Sequence, residues 1–240
     1  MNRSFFIFFY IIFFPIAIYH LTILELLIGF LIGWLCFGLG ISVVLHRYVS
    51  HKSFEFKNNF YKTISYIMAF MSGMGDPIHW ALIHRRHHRF TDKIGDTQSP
   101  LIIGKLKCFT SQFEIPSDRY NDIHYKQLSS DKFNYFFTHY QIPLLFLYPV
   151  LVYFMFGYNI FLMLIGIGVT VAIVMQGYIN TFLHSDPIED GLYSKNMKGS
   201  LFWFGENLHR SHHINSRRHS NSEFDLAKYF IRLVGKDLKN

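Results

Sequence analysis

The chain has 240 residues, half of them hydrophobic, with 27 phenylalanines and a formal net charge of +7. That length suits one domain, and apolar bulk joined to positive charge suits a protein held in lipid with basic loops against an anionic leaflet. Nucleic acid is set aside as a partner, because Lys and Arg lie scattered between apolar runs and no recognition motif occurs. Cys36 and Cys108, the only cysteines, are too few for a disulfide scaffold or a thiolate metal site.

From Phe5 to Leu45 the residues are almost all apolar, broken only at Tyr19-His20-Leu21-Thr22. One crossing takes about 20 residues, so the stretch predicts a hairpin of two helices over 5–19 and 22–45. Arg3 ahead of an apolar run would also suit a signal peptide. No small-residue cleavage site follows, and a second apolar span begins at once, which favours a retained membrane segment. A second long stretch, Tyr140 to Leu183, predicts spans over 140–156 and 160–183 with Gly157-Tyr158-Asn159 as the turn. Residues 46–139 and 184–240 are mixed in polarity and rich in Lys and Arg, whereas both hairpin turns are nearly uncharged. The positive-inside rule therefore puts Arg3, the central segment and the tail in the cytoplasm. The expectation is an all-α integral membrane protein, a single domain over 1–240. It has four transmembrane helices in two hairpins, both termini inside, and a cytoplasmic helical cap.

Histidine is the anomaly, with 14 in the chain. His46 and His51 form H-x4-H at the end of the second span. His84, His87 and His88 form H-x2-HH, and His209, His212 and His213 repeat it. Asn180 and His184 form N-x3-H at the end of the fourth span. On a helix, positions i, i+3 and i+4 share a face, so each H-x2-HH aims three imidazoles at one place. His46 and His51, five apart, diverge by about 140° on an ideal α-helix and call for a helix end or bend between them. Nine imidazoles at one membrane boundary exceed what one zinc needs and predict two metal ions. His20, His124, His139 and His219 stand alone and read as structural residues. Imidazole suits several metals. The Glu-x-x-His pairs of soluble di-iron bundles are absent apart from one match, Glu206 to His209. Glu206 reads instead as a partner orienting an imidazole, and Asp92 and Asp96 as the same for His87 or His88.

The order H-x4-H, H-x2-HH, N-x3-H, H-x2-HH between two hydrophobic hairpins resembles the integral-membrane acyl desaturases of the Δ9, stearoyl-CoA desaturase-like type. The strings HRYVSHKSFEF, HWALIHRRHHRFTD, INTFLHSD and GENLHRSHH carry the likeness. It runs from about Leu31 to the C-terminus, where Phe224-Asp225-Leu226 and Lys236-Asp237-Leu238-Lys239 look like the family's closing helix. The resemblance implies two iron ions held by His46, His51, His84, His87, His88, His184, His209, His212 and His213, with Asn180 acting through a water. Trp80 would line an acyl tunnel, with Gln176 expected beside it. The reaction would be O2-dependent insertion of a cis double bond, at Δ9 by family analogy, into a long-chain acyl group on CoA, a carrier protein or a lipid. No fused cytochrome b5 domain is seen, so a ferredoxin, rubredoxin or free cytochrome b5 is expected to supply electrons.

A hydroxylase on the same scaffold is the nearest rival. A histidine-rich metal transporter is the rival of another class. Transport calls for ionisable ligands near the midplane, and only Glu25 and Gln176 lie within the spans. Arg85, Arg86 and Arg89 could meet a phosphate-bearing head group or anionic lipid. Stepping back in fours from His46 gives Ser42, Gly38 and Trp34 on nearly one face. Gly38 is expected to leave room for the acyl chain, and Trp34 to close the tunnel.

Overall fold

The computed structural model describes residues 4–184, 193–199, 201–220 and 222–236. Among these the chain is helical, its only strand-like pairings being two isolated bridges, Phe56 with Gly235 and Asn196 with Leu208. Helix α1 spans Ser4–His20, and α2 runs unbroken over Ile23–Ser50. A capping box starts α2. The Thr22 hydroxyl accepts from the Glu25 N–H at 3.3 Å, while the Glu25 carboxylate accepts from the Thr22 N–H at 2.8 Å. These bonds satisfy amides that the first turn leaves unpaired.

After α2 come α3 (Asn59–Ala69), α4 (Pro77–Phe90), α5 (Pro100–Ile103) and α6 (Lys105–Phe109). Asp76 caps α4, accepting from the His79 N–H at 3.2 Å, and Pro77 occupies its first turn, where a missing N–H costs nothing. Next come α7 (Arg119–Ser129) and α8 (Lys132–His139), then the long α9 (Gln141–Phe182). Within α9, Gly157 has φ +84° and ψ 178°, a conformation open to glycine and costly for other residues. The chain reverses there. Before the break, the Tyr10 hydroxyl donates to Leu145 O at 3.1 Å and the His20 ring lies 5.5 Å from Tyr158. After it, Asn159 donates to Glu25 at 2.7 Å, and residues 163–171 run alongside Gly29 and Gly33 of α2. A Cβ at Gly29 would press on Ile167 and Met163 O, and one at Gly33 on Gly168 O and Val171. Small residues thus let the two backbones approach closely. The chain ends in α10 (His209–Ile214) and α11 (Leu226–Val234).

Two helices are long and apolar enough to cross a membrane, Ile23–Ser50 and Gln141–Phe182; Tyr10–His20 is apolar but shorter. Two boundaries differ from the sequence expectation. Helix α2 continues past Leu45 to Ser50, because its last turns are wrapped by α3, α4 and α11 rather than by solvent. The closing helix ends at Val234, with Asp225 accepting from the Ala227 N–H at 2.9 Å as its cap. Lys236 follows that helix, its N–H donating to Glu55 O at 2.7 Å, and residues 237–240 lie outside the described residues.

Candidate metal centre

The second half of α2, Cys36–Ser50, is wound as a π-helix. Its i→i+5 bonds bring residues five apart onto one face. The His51 N–H accordingly donates to His46 O at 3.2 Å, and the two rings lie 5.0 Å apart. The helix ends between them, at Ser50 with His51 as its cap, so the expected helix end is present, and the wider winding ahead of it brings the two rings together. Helix α4 contributes His84, His87 and His88, α10 contributes His209, His212 and His213, and His184 follows the end of α9.

These nine rings converge as two groups. His46, His51, His84, His88 and His212 form one; His87, His184, His209 and His213 form the other. In each, the ligand atoms lie within 4.8 Å of one another. In the first group, Nε2 faces Nε2 at 2.8 Å (His46–His212), 2.9 Å (His51–His84), 3.1 Å (His84–His88) and 3.0 Å (His88–His212). In the second, the separations are 2.7 Å (His184–His209), 3.2 Å (His209–His213) and 3.3 Å (His87–His213). Two nitrogens bound at right angles to a metal at about 2.1 Å stand about 3 Å apart. The spacing is that of ligands sharing an ion, and the donor set fits a borderline metal such as iron. The groups abut through the stacked rings of His88 and His213, 4.4 Å apart.

Three rings are steered from behind. His46 Nδ1 donates to Glu206 at 2.8 Å, His87 Nδ1 to Asp96 at 2.7 Å, and His184 Nδ1 to Asp92 at 2.8 Å. A carboxylate on Nδ1 fixes the tautomer that leaves Nε2 free to bind metal. Asp92 thus meets His184, not the His87 or His88 expected from sequence. Burial, reinforced by neighbouring imidazoles, holds His51, His84, His88, His209, His212 and His213 well below the usual histidine range, so they are neutral near pH 7. Burial also opposes charge on His87, but Asp96 outweighs it and raises that ring.

Asn180 is buried outside the groups. Its Oδ1 accepts from Gln176 at 2.8 Å and Gln98 at 3.0 Å, and its Nδ2 has no protein partner. Trp80 stacks on His84 with centroids 4.9 Å apart. The lone histidines stay out of both groups.

The Trp34–Gly38–Ser42 face differs from expectation. It is filled by the turn over residues 201–206. The Phe204 ring stands where a Gly38 side chain would begin, and Trp34 Nε1 donates to Phe202 O at 2.7 Å. The Ser42 hydroxyl donates to Glu206 at 2.5 Å. The space beside Gly38 is taken by a protein ring.

Sequence reasoning passed over Arg47 and Asp225. Arg47 is buried, donating to Glu206 at 2.9 Å and to Asp225 at 3.2 Å. An Arg between two clustered histidines near the end of an apolar helix needs a buried anion, and that was the available signal. Arg85 is spent on Val49 O and Ser50 O at 2.9 and 2.8 Å, and Arg86 on Gly95 O and Asp118.

A profile of the family described as "Fatty acid desaturase" matches residues 21–222. The chain belongs to the fatty acid desaturase family. Desaturation is an oxidation, so this is a family of oxidoreductases acting on acyl chains. The chain is 28% identical over 220 residues to Delta-9 acyl-lipid desaturase 1 of Arabidopsis thaliana, covering 82% of this chain and 68% of that protein. It is 27% identical over 233 residues to sn-1 stearoyl-lipid 9-desaturase of a Synechocystis strain, covering 88% and 70%. A shorter match, 42% identical over 77 residues, is to Hex-5-enoyl-[acyl-carrier protein] acetylenase of Moorena producens, covering 30% of this chain and 23% of that protein.

Proposed function

We propose that this protein desaturates a saturated long-chain acyl group, removing one hydrogen from each of two adjacent carbons to leave a cis double bond at Δ9. The balance is one acyl chain, one O2, two electrons and two protons giving one alkene and two waters. The convergence of nine Nε2 atoms into two groups at ligand spacing carries this reading. Two irons held there would supply the O2-derived oxidant that an unactivated methylene requires, since no side-chain base can remove such a hydrogen.

The residues of the chain do the rest. Imidazoles kept neutral by burial present lone pairs at pH 7. Glu206, Asp96 and Asp92 hold three of them in register. The buried amide of Asn180 would hold a water at the four-histidine group. Trp80, packed on His84, would form the wall against which the acyl chain lies, with Gln176 next to Asn180 beside it. With the Trp34–Gly38 face filled, the acyl path runs on the Trp80 side. In this account α1, α2 and the two arms of α9 cross the bilayer, placing both termini and the metal centre in the cytoplasm. A ferredoxin, rubredoxin or cytochrome b5 delivers the electrons there. Both acyl-lipid and acyl-CoA desaturases occur among the relatives, and either carrier is compatible with this site.

The test is turnover by purified protein with O2 and a donor system. An alkene supports the reading, whereas an alcohol assigns the scaffold to hydroxylation and product without O2 overturns the oxidase chemistry.

A further inference from the structure

The two histidine groups are built differently behind the rings. Among the described residues only His46 of the five-histidine group has a carboxylate on Nδ1, and that carboxylate, Glu206, pairs with Arg47 at 2.9 Å, an arginine it shares with Asp225 at 3.2 Å. The other four rings, His51, His84, His88 and His212, have no carboxylate partner among the described residues, while a buried Nδ1 without a partner occurs in each group, at His84 and at His209. In the four-histidine group two rings of four are so anchored, His87 by Asp96 and His184 by Asp92. Both aspartates are buried, and their remaining partners are neutral. Asp96 accepts from the backbone N–H groups of Gln98 and Asp92, each at 2.8 Å, and Asp92 accepts from the Ser99 hydroxyl at 2.5 Å. Among the described residues no Lys or Arg pairs with either.

A carboxylate on Nδ1 makes an imidazole a stronger donor, and uncompensated negative charge acts strongly in a poorly polarisable interior. Both effects favour the more positive state of a bound metal. Neutral imidazoles whose one anchoring carboxylate is paired with an arginine favour the less positive one. Access follows the same division. A cavity of about 530 Å³ lined by Lys52, Arg85 and Arg217 opens onto His51 and His88, both of the five-histidine group. His88 in turn stacks on His213 of the other group.

We infer that the two sites are redox-inequivalent: the first external electron resides at the five-histidine group, while the four-histidine group, backed by Asp92 and Asp96, keeps its metal ferric. The inference rests on the desaturase reading, with iron in both groups. The step is a one-electron reduction. A reductant such as dithionite gives up one electron, one ferric ion becomes ferrous, and no bond to carbon or hydrogen changes.

The experiment is Mössbauer spectroscopy of the full chain loaded with iron-57 in detergent and reduced anaerobically with dithionite to one electron per chain. The expected spectrum has ferrous and ferric components in a ratio of about one to one, each localised. Asp96→Asn, and Asp92→Asn with it, keep a hydrogen-bond acceptor but remove the charge. They should shift the parameters of the ferric component and redistribute the electron, whereas Glu206→Gln should disturb the ferrous component. A wild-type spectrum showing equal, delocalised valence overturns the inference whether or not the variants load iron. So does an unchanged ferric component in Asp96→Asn. Two irons per chain with either of those results leaves the desaturase reading standing. Fewer than two irons per chain overturns both.

Discussion

Gly38 shows how a residue's meaning is set by what packs on it. From sequence it is a gap on the face of His46; in the structure the Phe204 ring occupies that gap and Arg47 holds the Phe204 carbonyl at 2.9 Å. Gly38→Leu should therefore destabilise the protein by about 1–3 kcal/mol through overpacking. A melting curve in detergent reads that loss, and a shifted acyl-length profile at unchanged melting temperature would restore the tunnel assignment. The histidines behave differently, because i, i+3, i+4 spacing is a property of the helix itself. His212→Ala or His184→Ala should lower bound iron and abolish turnover with membrane insertion intact. Full iron content in either variant would remove that ring from the ligand set. The anchoring carboxylates were legible as a type, since an imidazole bound to metal calls for one; Asp96 on His87 was legible as a pair, and Asp92 on His184 was not. Asp92 lies 92 positions from His184, and no local periodicity reports a contact of that range.

At the scale of elements, apolar run length and turn residues made α1, α2 and the reversal at Gly157 readable. The π winding of Cys36–Ser50 was not, because it depends on packing by α3, α4 and the 201–206 turn rather than on propensity. The link from α11 to the metal centre was hidden for the same reason. Asp225 caps that helix and also pairs with Arg47, which holds Glu206 behind His46. The two roles can be separated. Asparagine caps helices about as well as aspartate, so Asp225→Asn should lose the ion pair and keep the cap. Asp225→Ala should lose both, be less stable by about a further 1 kcal/mol, and so melt lower still. Equal melting temperatures for the two variants would mean that the cap contributes nothing.

For the whole molecule, nine imidazoles held at ligand spacing, six of them buried and three half-buried, are costly to order without ions to share. Ferrous iron supplied anaerobically at 100 times its dissociation constant should stabilise the fold by about 2.7 kcal/mol per independent site. Calorimetry with and without a chelator reads this, and identical melts would argue against bound metal. The class, the helical hairpins and the histidine constellation were legible because membrane hydropathy and helical periodicity are local signals. The filled Trp34–Gly38 face and the division of nine rings into five and four were not, because both arise where distant segments meet. The most direct measurement of the central claim is mass spectrometry of acyl products. Purified protein in lipid receives a saturated long-chain acyl substrate, a reduced ferredoxin system and O2. The account predicts a product two hydrogens lighter with one new cis double bond, lost when O2 is withheld or when His87 is replaced by Ala. Recovery of only saturated chains from protein carrying two irons and a competent donor would contradict it.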